Sequence, residues 1–127
     1  MNRKFIVSFE VAKLLKEIGC DCTTNFYYRS DGNPEIGIEV NNNILMEGNI
    51  ASPAYCELID WLEEKYGIII LCNIWLDYNT KKLYYWASVT TPDGEFSAEN
   101  CPTREEAYEA GVLMVIDYIK EEQNTRL

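Results

Sequence analysis

Histidine is absent from the 127 residues of this chain. It is the commonest general base in enzymes and the commonest metal ligand, so Ser-His-Asp sites, Cys-His sites and histidine-rich zinc sites are excluded. Glycine-rich phosphate loops and the Gly-x-Ser-x-Gly nucleophile turn are also missing. The sequence therefore predicts a protein that is not an enzyme and has no catalytic residue, cofactor or metal site. A small enzyme that works with carboxylates or a thiol is left open as an alternative.

Positive charge is scarce: 11 lysines and arginines face 21 aspartates and glutamates, for a formal net charge of −10. Phosphate backbones are bound mainly by clustered cations. The only adjacent basic pairs are Arg3-Lys4 and Lys81-Lys82, so we expect no direct binding to nucleic acid. The charge would suit a basic partner or an imitation of nucleic acid, and solubility alone also explains it.

Long hydrophobic runs are missing as well. Only three apolar residues follow Lys4 before Ser8, whereas a secretory signal needs roughly 7 to 15. The apolar runs at residues 67–72 and 110–116 are far below the roughly 20 residues that span a bilayer. The five cysteines are odd in number and mostly dispersed, and the pair Cys20-x-Cys22 lacks the second pair of a structural zinc site. We expect a cytoplasmic protein without membrane association.

The length allows one domain, residues 1–127, at roughly 100 to 200 residues per domain. Two helices have clear ends. Ser8 is positioned to cap a helix over residues 9–18 that Gly19 stops. Ser52 and Pro53 are typical of a second helix start, and that helix closes at Gly67.

A third helix is predicted from a capping box at Thr103 and Glu106 to about Glu122. Residues 107–116 are apolar nearly all round, so we expect this helix to be the most buried of the three.

The first hairpin is predicted over residues 23–28 and 35–40, joined by the turn residues 30–34. Ile36, Ile38 and Val40 alternate with polar residues and are expected on the buried face. A short strand at residues 44–46 is left open.

The second hairpin is predicted over residues 68–78 and 83–90, and residues 92–94 are expected to end it. The fold class is then α+β: a single antiparallel sheet of about four strands from two hairpins, packed with three helices in the order α-ββ-α-ββ-α.

Strict alternation in the second hairpin separates two faces. Ile70, Cys72, Ile74 and Leu76 form a core face with Leu83, Tyr85, Ala87 and Val89. The other face mixes aromatic and polar side chains and is the candidate binding face; its residues are Trp75, Asp77, Tyr84 and Trp86. Such a surface suits a protein or small-molecule partner, and a covering helix or an isologous homodimer would also account for it.

The stretch from Ser52 to Ile68, followed by the stretch from Thr103 to Ala107, resembles small proteins carried by phages and integrated elements of Bacteroides-type gut bacteria. The resemblance rests on helix starts and packing positions, and it transfers no catalytic residue. It implies a bacterial cytoplasm and an accessory role in phage and host affairs.

Together these features predict a non-enzymatic protein-interaction or accessory module that binds a protein partner or a second copy of itself. The alternative from another class is an acidic mimic that occupies a nucleic-acid enzyme. The acids expected on the outer faces of the second and third helices motivate it: Glu57, Asp60, Glu64, Glu105 and Glu109.

Overall fold

The computed structural model describes residues 5–125, apart from the side chain of Glu99. The chain forms two compact units, Met1–Trp61 and Leu62–Leu127, with the boundary inside the second helix. The prediction of a single domain stays a prediction. The helices and strands, in chain order, are α1 (Phe9–Glu17), β1 (Thr24–Tyr28), β2 (Pro34–Val40), β3 (Ile50–Ala51), α2 (Tyr55–Tyr66), β4 (Ile69–Asp77), β5 (Lys82–Thr91), β6 (Gly94–Cys101) and α3 (Arg104–Thr125).

Helix α1 has the ends that the sequence predicts. The Ser8 hydroxyl accepts a hydrogen bond from the Val11 N–H at 3.2 Å, which satisfies a donor of the first turn. At the other end Gly19 takes a φ of +86°. The Gly19 and Cys20 N–H groups then donate to carbonyls of the last turn, which is a Schellman closure.

Helix α2 begins two residues later than the Ser52-Pro53 pattern indicates. The Ser52 N–H donates to the Phe26 carbonyl, so this part of the chain is still engaged with β1. The Ser52 hydroxyl is buried and has no hydrogen-bond partner in the described part of the chain. Instead, the Glu57 carboxylate accepts from the Ala54 N–H at 2.9 Å and serves the helix start.

The first unit contains an antiparallel sheet in the order β2-β1-β3. The first hairpin is therefore present, but residues 44–46 lie in the loop after β2 and the additional strand is β3. The expected burial of β2 is wrong, because Ile36 and Ile38 are exposed. No residue of β2 is fully buried, because the strand is at the edge of its sheet; Gly37 between the two isoleucines is half-buried, and an added Cβ there would lie 2.8 Å from Val40 and 3.3 Å from Tyr27.

The second unit contains another antiparallel sheet, in the order β4-β5-β6. The prediction of a single sheet is thus wrong, whereas the α+β class, the three helices and the antiparallel pairing are confirmed. In each sheet the third strand comes from the segment that follows the hairpin in the chain. The sequence pattern predicted neither of these strands. β3 has only two residues, and the turn at residues 92–94 leads into β6 instead of ending the sheet.

Helix α3 starts as predicted, with the Thr103 hydroxyl accepting from the Glu106 N–H at 3.2 Å. It packs on one face of the second sheet. A Cβ added at Gly111 would lie 3.1 Å from the Ala87 Cβ and 3.3 Å from Ile70, so the missing side chain permits close approach. The helix is buried on one side only, and Leu113 is exposed.

Candidate binding surface

The candidate binding face lies on the β4–β5 hairpin, whose pairing runs without a break from Ile69 opposite Thr90 to Asp77 opposite Lys82. Trp75 is opposite Tyr84, and their rings stack with centroids 4.9 Å apart and planes 24° from parallel. Trp86 is opposite Asn73 and shares this face by alternation. The structure therefore brings Trp75, Tyr84 and Trp86 together on one side of the sheet.

Two aliphatic side chains, Ile69 and Leu71, extend this aromatic face. Both are exposed, Leu71 by 57%, and Trp75 is 42% exposed. Tyr84 and Trp86 are half-buried. The aromatic face, defined here as Ile69, Leu71, Trp75, Tyr84 and Trp86, thus leaves large apolar groups open to water, which is uncommon for side chains in contiguous patches.

Asp77, the fourth residue of the candidate binding face, is at the end of β4. Its Oδ1 accepts from the Asn79 N–H at 2.9 Å and from the Thr80 N–H at 3.4 Å. An aspartate that holds the backbone two and three residues ahead is typical of a turn. Asp77 therefore shapes the tip of the hairpin.

The opposite face of the hairpin contradicts the expected clean core. Ile70, Ala87 and Val89 are buried beneath α3, but Ile74, Leu76 and Leu83 are exposed. The reason is where the helix begins. The Arg104 guanidinium lies 5.8 Å from the Tyr85 ring centroid, so the first turn of α3 is at this row of the sheet and the hairpin continues beyond it.

β4 and β5 consequently expose large apolar side chains on both faces. We call the six that lie within these two strands the hairpin surface, which comprises Ile69, Leu71, Ile74, Trp75, Leu76 and Leu83. Alternation along β4 finds the two faces, but it cannot find exposure, because exposure depends on how far α3 reaches.

The hairpin surface is also almost free of the charge that dominates the chain. Between residues 68 and 91 the formally charged residues are one aspartate, Asp77, and two lysines, Lys81 and Lys82. The chain as a whole carries −10. An apolar, nearly neutral segment on a strongly acidic protein marks a place where contact does not require the burial of charges.

The surroundings of three described cysteines disfavour nucleophilic chemistry at their thiols. Burial, reinforced by Cys20 and nearby carboxylates, raises the pKa of Cys22 to about 12. Burial also raises the pKa of Cys72 and that of Cys101. Because the thiolate is the reactive form, a raised pKa disfavours nucleophilic chemistry at each of these three thiols.

One of the acids on which the nucleic-acid-mimic hypothesis depends, Glu57, forms hydrogen bonds within its own unit. Besides serving the α2 start, the Glu57 carboxylate accepts from the Thr24 hydroxyl at 2.7 Å, and Thr24 is buried. Glu57 is therefore part of the packing of its own unit. Asp60 and Glu64 are exposed, and Glu105 and Glu109 are half-buried.

A cavity of about 290 Å³ in the second unit is lined by four ionisable residues, Tyr66, Asp93, Tyr118 and Glu122. The Tyr118 hydroxyl donates to Asp93, and this hydrogen bond is the main cause that raises the pKa of Tyr118. The small carboxylate- or thiol-dependent enzyme stays a prediction.

Within residues 5–125, no group of three or more Cys, Asp or Glu side chains is arranged to hold a metal ion. In the same described range, no helix combines the length and the apolar character needed to cross a membrane.

No protein-family model, curated protein or solved structure matches this chain.

Proposed function

We propose that this protein is a non-enzymatic interaction module that binds another protein chain through the hairpin surface. The observation that carries the proposal is the exposure of large apolar side chains on both faces of one hairpin. Trp75 is central to it, because tryptophan is the residue type most enriched at the energetic centres of interfaces. The stack on Tyr84 holds the indole ring in place before contact, so less side-chain freedom is lost on binding.

The surroundings of the hairpin surface support the same function. The acidic remainder of the chain favours solubility and would slow the approach of acidic proteins. The six side chains of the hairpin surface, in contrast, can be removed from water without the burial of a carboxylate. The resemblance of the α2 and α3 starts to proteins of phages and integrated elements favours an accessory role in a bacterial cytoplasm, and this setting is part of the proposal.

The test is co-purification of an affinity-tagged protein from its own cells, together with a second copy that carries a different tag. The test variant is the double substitution Leu71→Ser and Trp75→Ala. We expect it to lose the bound chain, since truncating a central aromatic residue costs about 2 kcal/mol or more of binding free energy.

The matched control is Ile38→Ser, which removes an exposed isoleucine, 86% accessible, from the first unit. It should retain the bound chain. Far-UV circular dichroism of both variants checks folding. Equal retention of every partner by the hairpin variant and the control would remove the proposal.

A further inference from the structure

β4 is an edge strand that lacks the usual protection against pairing with another chain. Its nine residues, Ile69–Asp77, form the outer strand of the β4-β5-β6 sheet. Natural edge strands are commonly blocked by proline, bulges or charged residues. β4 has no proline, its pairing with β5 is uninterrupted, and its first charged residue is Asp77 at the end.

The other long edge strands differ. β2 begins at Pro34, its pairing with β1 is irregular, and Glu39 has a φ of +48°. β6 is irregular opposite Tyr85 to Ala87, and Asn100 has a φ of +60°. The contrast singles out β4 as the edge that is able to accept a further strand.

The distribution of exposed residues distinguishes edge pairing from packing on one face. Leu71 and Trp75 are exposed on one side of β4, and Ile74 and Leu76 on the other. A partner laid on one face would leave the opposite face in water. A strand added at the edge brings new side chains alongside both faces at once.

From this geometry we infer that the partner is a second copy of this chain, joined by antiparallel pairing of β4 with β4 about a two-fold axis at Asn73. This inference rests on the proposed function, because it names the partner of the same hairpin surface. The result is a continuous sheet of six strands, in the order β6-β5-β4-β4-β5-β6.

The β4 sequence is complementary to itself in this register. A two-fold axis perpendicular to the sheet keeps each face on its own side, so each residue is opposite a residue of the same face. Leu71 is then opposite Trp75 of the second copy, Cys72 opposite Ile74, and Ile70 opposite Leu76. The only polar residue between Ile69 and Leu76 is Asn73, and it is opposite its own copy, where two amides can donate to and accept from each other.

Charge and area both fit a second copy. The segment that would be paired carries no charge from Ile69 to Leu76, and Asp77 of each copy is at its end, opposite Ile69 of the other copy. A large side chain offers roughly 150 to 250 Å² when fully exposed, so the five residues of the hairpin surface that lie on β4 present on the order of 450 Å². That is about half of the roughly 800 Å² that each partner buries in a standard interface.

The first measurement is the mass of the purified protein in solution by light scattering and sedimentation, from low micromolar to submillimolar concentration. We expect a dimer that dissociates on dilution. A monomer at every concentration overturns the inference. If such a monomer still binds a different chain through the hairpin, the proposed function stands with another partner; if it binds nothing, both fall.

Two matched substitutions separate the edge from the faces. Ile74→Lys and Leu83→Lys change aliphatic residues of the same face that are 50% and 52% exposed, so neither should disturb folding much. Ile74 is on the edge strand and Leu83 on the central strand. We expect Ile74→Lys to raise the dimer dissociation constant roughly tenfold or more, because its ammonium would be next to Cys72 of the second copy, and Leu83→Lys to leave it nearly unchanged. Equal weakening by both variants, or none by Ile74→Lys, would overturn edge pairing.

A disulfide tests the register. In a Cys56→Ser background, which removes the exposed thiol, Asn73→Cys should form a covalent dimer under mild oxidation, since directly opposite Cβ atoms are about 4.5 to 5.5 Å apart. Leu71→Cys is the control. In the Asn73-centred register the two copies of residue 71 are four residues apart along the strands, roughly 13 Å, and cannot be bridged. Cross-linking by Leu71→Cys in preference to Asn73→Cys would overturn the register.

Discussion

The sharpest test of the structure concerns Glu57. The sequence predicts it to be one of several acids on the outer face of a helix, whereas in the structure it forms hydrogen bonds within its own unit. Its carboxylate accepts from the buried Thr24 hydroxyl at 2.7 Å and from the Ala54 N–H at 2.9 Å. Both donors lose this acceptor in Glu57→Ala. A hydrogen bond to a charged group contributes about 1.5–3 kcal/mol, and a donor left without its acceptor in a buried place loses stability as well.

For Glu57→Ala we therefore expect the free energy of unfolding to fall by about 2–4 kcal/mol, reduced from the sum of two such bonds because Glu57 is only half-buried. Glu57→Gln keeps an oxygen acceptor and should lose about 1 kcal/mol. The matched control is Glu64→Ala, an exposed glutamate of the same helix, with a change within about 0.5 kcal/mol.

The assay is urea denaturation followed by far-UV circular dichroism. A double-mutant cycle with Thr24→Ala adds a direct readout, because residues that share a hydrogen bond show a coupling energy of about 0.5–3 kcal/mol. The reasoning about Glu57 is refuted if Glu57→Ala loses no more stability than Glu64→Ala, or if the cycle shows no coupling.

Three further predictions concern packing and thiols. Gly111→Val should lower the free energy of unfolding in urea by roughly 1–3 kcal/mol, because its Cβ would be 3.1 Å from the Ala87 Cβ on a central strand, whereas Ala110→Val should lose less. Cys22 has a folded pKa raised from 9.0 to about 12, so its contribution to stability is complete below pH 9 and is lost as the pH rises toward 12; Cys22→Ala should lose stability less steeply in that window, by at most about 1.4 kcal/mol per pH unit. Titration with a thiol reagent at neutral pH should modify the exposed Cys56 first and Cys22 only after denaturant is added, and fast modification of Cys22 in the folded protein would contradict its burial.

Local signals in the sequence located most helices and hairpins because their causes are local. Ser8 is sufficient to start α1 and Gly19 to end it. The Ser8 hydroxyl accepts from an N–H of the first turn, and the left-handed conformation of Gly19 stops the helix, so both effects act within one turn. The same reasoning failed at Ser52. The segment there is held by the Phe26 carbonyl of β1, a partner that no pattern within the segment can reveal.

At the candidate binding face, too, the sequence predicts one property and tertiary packing decides another. Alternation along β4 and β5 placed Trp75, Tyr84 and Trp86 on one side, because a pleated strand fixes side-chain direction with a period of two. It did not show that Ile74 and Leu83 on the other side are exposed. That outcome depends on the row of the sheet at which α3 begins, which is a property of packing between distant segments.

The sequence by itself determined the secondary structure type, the antiparallel hairpins and the absence of imidazole chemistry, since these follow from residue types and short-range spacing. Only the tertiary structure decided that each hairpin completes its own three-stranded sheet, that Ile36 and Ile38 are exposed, and that β4 is an unprotected edge. The physical reason is that burial and strand neighbours are set by which segments meet in space, and several pairings satisfy the same local pattern.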